Sequence, residues 1–218
     1  MGGFLIGTSK KGYPEKYSKL RDEIENGDLL LYKGTSFLSK SIQYFDKAYY
    51  NHIGVVWRPE NTNRVLTLDM WKEGLVCTPL SRRMDGYSDF CILRPKVSSQ
   101  KIELAICEAL EEWDGRDIKY DNMLLPRVAL VKKTGIDLSN LGKKGKFICS
   151  EFAQYYCELL GLNTYNFLNL ITPEDFRRFI DDNFILIHDE APAPDMSYYE
   201  KNKEVKCLFG HNYKLKAR

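Results

Sequence analysis

Four apolar runs rich in strand-forming residues follow one another closely: "NHIGVVW" at 51–57, "VLTLDMW" at 65–71, "GLVCTPL" at 74–80 and "DFCILRP" at 89–95. Each is long enough for a strand and too short for an ordinary helix. "RPENTNR" between the first two is a turn, so those two read as a hairpin with a longish loop. Upstream, "NGD" at 26–28 is a turn signal followed by another short strand, "LLLYKG". Sequential strands joined this tightly pair antiparallel, so the chain predicts a four- or five-stranded antiparallel sheet.

A sheet with so many apolar positions needs helices to cover it. In "SSQKIELAICEALEEWDG", Ile102, Ala105, Ile106, Ala109 and Trp113 fall on one helical face, with Ser98 or Ser99 as cap and Gly115 as stop. "FICSEFAQYYCELLGL" at 147–162 predicts a helix starting near Cys149 and ending at Gly161, with Phe152, Tyr156, Leu159 and Leu160 as its buried stripe. "ITPEDFRRFI" starts another, with Thr172 as cap and Pro173 at the first position. Leu38, Ile42, Phe45 and Tyr49 recur at helical spacing, and "NFILIHD" reads as a last strand. The class is α+β. Residues 1–26 read as an arm or short helix, 27–188 as one domain, and 189–218 as a polar, loosely patterned tail.

The length of 218 residues and 44% hydrophobic content suit a single core. The 32 basic residues are matched by 30 acidic ones, which gives no electrostatic case for a nucleic-acid partner. The basic run "KKGK" at 143–146 reads as a solvated loop. No apolar run approaches the roughly 18 residues of a membrane span. The first residues lack the pattern of a secretory signal, and Ile6 stands where myristoylation wants Ser or Thr. The expectation is a cytoplasmic protein, of a cell or of a virus within a host cell. The six cysteines show no zinc or redox spacing, so they are expected as free thiols. Cys107 and Cys157 fall in helical patterns, and Cys77 and Cys91 in strands.

Cys149 differs from these by its position. A thiol with an ordinary pKa of about 8.5 is a poor nucleophile at neutral pH; a helix N-terminus and a neighbouring imidazole both favour its thiolate. Cys149 stands at the head of its helix and is expected to point to the sheet that the helix packs on. Of three histidines, His188 ends the last strand, His211 lies in the tail, and His52 opens a sheet strand. His52 is therefore the candidate base for a Cys–His pair. An imidazole in that role needs an orienting partner, and the adjacent strand is the natural source. Asp69 is an acid in an otherwise apolar strand, which is costly unless it is paired. It is the favoured orienter, with Thr67 and Glu73 as alternatives. Trp57 and Trp71 flank the hairpin and read first as core residues.

The ordered set "GDLLLY", "SFLSKSIQYF", "NHIGVVW", "TPL", "FICSEFAQYY" and "ITPEDF" resembles the circularly permuted branch of the NlpC-type papain-like cysteine peptidases, often called the YiiX-like family. In that branch the His strand precedes the Cys helix, as here, and the likeness spans roughly residues 27–187. The resemblance implies a papain-like sheet or small barrel packed against the nucleophile's helix. It implies Cys149 as nucleophile, His52 as base and a polar residue on the next strand as orienter. Counting back from Thr78 gives Asp69 for that residue, whereas counting forward from His52 gives Thr67. A Gly and a Tyr upstream of the nucleophile match Gly115 and Tyr120 in "WDGRDIKYD", with Tyr120 helping to bind the oxyanion. A long insert between Tyr120 and Cys149 departs from the family pattern. The implied activity is amide or ester hydrolysis through an acyl-enzyme, with no metal or organic cofactor. A small peptide, an isopeptide or an acyl lipid fits as substrate. A non-catalytic peptide- or lipid-binding module on the same fold, or an acyltransferase or thioesterase, is the competing expectation.

Overall fold

The computed structural model describes residues 15–34, 43, 47–71, 73–86, 89–113, 119–120, 146–147, 149–162, 172–178, 180 and 183–195, with the backbone alone for 85–86, 119–120 and 146–147. The elements in chain order are α1 (Glu15–Leu20), β1 (Leu29–Tyr32), β2 (His52–Trp57), β3 (Leu66–Trp71), β4 (Gly74–Pro79), α2 (Leu80–Gly86), β5 (Phe90–Pro95) and α3 (Ser99–Trp113). They are followed by β6 (Lys119–Tyr120), β7 (Lys146–Phe147), α4 (Cys149–Leu159), α5 (Pro173–Arg178) and β8 (Phe184–Asp189). The helix expected around Leu38 to Tyr49 lies largely outside the described residues, as do Gly115, Cys207 and the tail from 196 onward.

The protein is α+β. Its main sheet has six strands in the order β4-β3-β2-β1-β5-β8, and every neighbouring pair is antiparallel. The sequence pattern predicted four or five strands. The last strand joins them at the edge, where β8 pairs with β5. The short β6 and β7 form a separate parallel pair.

Both faces of the sheet are covered, which explains why β1, "LLLY", is apolar throughout and fully buried. On one face Leu29, Leu31, Ile53, Val55, Leu68, Met70, Cys91 and Leu93 pack with α3 and α4. On the other, Leu30, Tyr32, Val56, Phe90 and Ile92 pack with Tyr17 and Leu20 of α1 and Leu80 and Met84 of α2. The α3 residues that are buried are the five predicted from spacing. In α4 the buried set is Cys149, Ser150, Phe152, Ala153, Tyr156 and Cys157; Leu159 is only partly buried. The stripe thus runs at three- and four-residue steps through small residues that the pattern of large ones had hidden.

Two local features anchor α4 and α5. Gly27 has φ of +83°, the left-handed turn conformation that favours glycine, and its carbonyl accepts a 3.2 Å hydrogen bond from Tyr156 Oη. Thr172 caps α5, where its own N–H donates to Asp175 Oδ2 at 2.9 Å.

Candidate active site

His52 is the first residue of β2 and Cys149 the first of α4. Strand alternation locates the contact between them. Ile53 and Val55 face α4, so His52, Gly54 and Val56 belong by alternation to the opposite face. The Cys–His contact is therefore made where the two elements begin, not across the middle of the helix–sheet interface. The two side chains are close enough for Cys149 to act on the imidazole by both charge and hydrogen bonding. Both are buried, Cys149 at 2% exposure and His52 at 7%.

Asp69 lies on the same sheet face as His52. Its Oδ1 is 3.5 Å from His52 Nε2, within ion-pair range. Nε2 makes no well-aligned hydrogen bond, so the contact is a charge pairing more than a directed bond. Asp69 is completely buried and would be costly there alone. Its other partners offset that cost. Tyr32 Oη donates to Oδ1, Thr67 Oγ1 donates to Oδ2 at 2.7 Å, and Arg83 Nε donates to Oδ2 at 3.1 Å. Burial pushes its carboxyl up, but the attraction of His52, with the Arg83 charge and the Tyr32 hydroxyl, outweighs it and holds Asp69 below its ordinary range.

The imidazole shows the reverse balance. Burial disfavours its charge, while Cys149 and Asp69 together raise it to about 9. His52 thus lies between a sulfur and a carboxylate, both of which favour its charged form. Trp71 stacks on it at 4.6 Å between centroids and 23° between planes. Tyr32 lies 4.8 Å away on a tilt. Arg83 covers the indole, its guanidinium carbon 4.8 Å from the Trp71 ring. Trp71 is therefore part of the wall that fixes the His52 ring plane.

Of the residues singled out from sequence, Cys149, His52 and Asp69 come together. Thr67 contacts Asp69, which makes it a support of the carboxylate. Glu73 is exposed in the turn after β3. Tyr120 pairs through its backbone with Phe147, and its side chain lies outside the described part. Sequence reasoning missed Tyr32 and Arg83. Tyr32 stands directly opposite His52 in the ladder, a fact of register. Arg83 sits on α2, a seven-residue helix with too few apolar repeats to be read from spacing.

No family model matches the chain, and no curated protein matches it. Among solved structures it is similar to one titled as the metalloprotein YiiX of Escherichia coli O157:H7, DUF1105. That likeness has 14% identity and a TM-score of 0.55, and covers 77% of this chain and 98% of the other. At that identity it establishes a YiiX-like fold. Among the described residues no group of three His, Cys, Asp or Glu side chains forms a metal-ligand set. No helix among them is long and apolar enough to cross a membrane.

Proposed function

We propose that this protein is a cysteine-dependent acyl hydrolase on a permuted papain-like fold. The observation that carries the reading is His52, buried beside Cys149 with its Nε2 3.5 Å from the Asp69 carboxylate, both of which favour its charged form. A core cysteine has no need of a charged histidine, and a core histidine has no need of a buried carboxylate with three further donors.

In this reading Nε2 turns to Asp69, which leaves Nδ1 for the sulfur. His52 holds the proton that Cys149 has given up, and the thiolate attacks the carbonyl carbon of an amide or ester. The negative oxygen of the tetrahedral intermediate is met by the Cys149 backbone N–H at the head of α4, with Tyr120 as the expected second donor. His52 returns the proton to the leaving nitrogen or oxygen as that bond breaks, giving a thioester. Water, deprotonated by His52, then attacks the thioester and releases the carboxylic acid and the thiol. The substrate is a small peptide, an isopeptide or an acyl lipid.

The 2% exposure of Cys149 favours one second reading, a binding module that keeps the pair for structure alone. Profiling with alkyne-tagged chloromethyl ketone and acyloxymethyl ketone probes separates the two. Labelling of wild type that disappears in both Cys149→Ala and His52→Ala supports the hydrolase. Labelling that survives Cys149→Ala, or none at any probe, supports the binding module.

A further inference from the structure

The three residues before His52, "YYN", are each held in place by a side chain or backbone distant in sequence. Tyr49 Oη donates to Asp89 Oδ2 at 2.7 Å. Tyr50 Oη donates to the Phe90 carbonyl at 2.8 Å and to Asp189 Oδ1 at 2.9 Å. Asn51 pairs with Gly34 in both directions, accepting from its N–H at 2.7 Å and donating to its carbonyl at 3.2 Å.

The backbone of the same stretch ends on one buried carboxylate. Glu174 Oε2 accepts from the N–H of Tyr49 at 3.0 Å and of Tyr50 at 2.8 Å. Its other oxygen is bound by Arg177 Nη1 at 2.7 Å. Arg177 Nε in turn binds Asp189 Oδ2 at 2.7 Å, and Asp189 Oδ1 closes the circuit at Tyr50. Glu174 is 1% exposed and Arg177 4%. Helix α5 thus spends a buried ion pair on two consecutive amide groups of a loop more than a hundred residues upstream. A buried pair of this kind adds little net stability compared with apolar packing and fixes geometry instead.

We propose that Glu174 is a positioning residue for His52. By fixing the amides of Tyr49 and Tyr50, it sets where β2 starts and so holds the His52 ring at Cys149. This role rests on the hydrolase reading only for its kinetic consequence. The imidazole–sulfur contact it maintains can be read without any substrate.

The test is the titration of His52 followed by NMR of its ring protons, assigned by loss in His52→Gln, in wild type, Glu174→Ala and Glu174→Gln. Thermal melting establishes that each variant is folded at the temperature used. Wild-type His52 is expected to titrate near pH 9. Glu174→Ala should lower that midpoint by about one pH unit or more as the ring drifts from Cys149. Glu174→Gln keeps one carbonyl acceptor for the amides but loses the ion pair with Arg177, so its midpoint should fall between the two. With an active substrate in hand, kcat should drop about tenfold or more in the Ala variant while KM changes little. A folded Glu174→Ala protein with an unmoved His52 midpoint overturns the proposal. Should the Ala variant fail to fold, Glu174→Gln decides by the same criterion. A wild type without hydrolase activity removes the proposed function and leaves the His52 midpoint to judge Glu174.

Discussion

Gly54 and Asp69 occupy one space: a Cβ on Gly54 would collide with the Asp69 carboxylate and stand 3.1 Å from the Leu68 carbonyl oxygen. The glycine of "HIGVV" is therefore the clearance that lets a buried acid lie flat beside the His52 strand. Asp69 cannot swing away, because Tyr32, Thr67 and Arg83 hold it.

Gly54→Ala should accordingly destabilise the fold by about 2 kcal/mol, as overpacking against a pinned group does. Urea unfolding of wild type and variant measures it. A variant as stable as wild type would show that the carboxylate is free to move, contrary to its bonding.

Asp69→Ala should impair turnover less than His52→Ala, since an orienting group tunes the base while the base carries the proton. It should nevertheless be the more damaging to stability. It leaves the Arg83 guanidinium and the Tyr32 and Thr67 hydroxyls without their shared acceptor, a loss of about 3 kcal/mol or more. Parallel assays and melts decide. The orienter is misassigned if Asp69→Ala leaves the rate intact while Thr67→Ala or Glu73→Ala lowers it.

The pH dependence of stability follows from two shifts of opposite kind. His52 is raised in the folded state from 6.5 to about 9. Its contribution is fully present below pH 6.5 and is lost as pH rises through about 9. The shift sets an upper limit of about 3 kcal/mol. Asp69 is lowered from 3.8, so its contribution is present above that value and is lost as acid protonates the folded carboxylate. Stability should be greatest between about pH 4 and 6.5 as far as this pair sets it. Unfolding free energies from pH 3 to 10, compared with His52→Gln, isolate the alkaline limb. The coupling is refuted if the two proteins lose stability in parallel from pH 6.5 to 9.

Iodoacetamide at pH 6–7 should label Cys149 faster than the other five cysteines. Burial pushes the thiols of Cys91 and Cys157 far up, and that of Cys77 upward to a lesser degree. Cys107 is exposed in the middle of α3, away from a helix head. Peptide mapping by mass spectrometry gives the order, and equal labelling of all thiols would falsify the activated-cysteine reading. Cys149→Ala should also lower the His52 midpoint, because the sulfur is the larger of the two influences that raise it.

The sequence by itself determined the parts. Apolar runs with strand-forming residues marked β2, β3, β4 and β5. Three- and four-residue spacing marked the buried face of α3, and Thr172-Pro173 marked the start of α5. All of these are local, because periodicity and capping act within a few residues. The same local reading singled out Cys149 at a helix head, His52 at a strand start and Asp69 as an acid out of place.

Tertiary structure decided how the parts meet. The register that sets Tyr32 against His52 depends on two strands separated by nineteen residues of chain. The sixth strand depends on β8 returning to β5 after the long stretch of chain from 96 to 183. Arg83 reaches Asp69 from a helix too short to announce itself, and Glu174 reaches the amides of Tyr49 and Tyr50 from 125 and 124 residues away. A buried charge carries no local pattern of its own; its residue type says that a partner must exist, and only the packed fold says which.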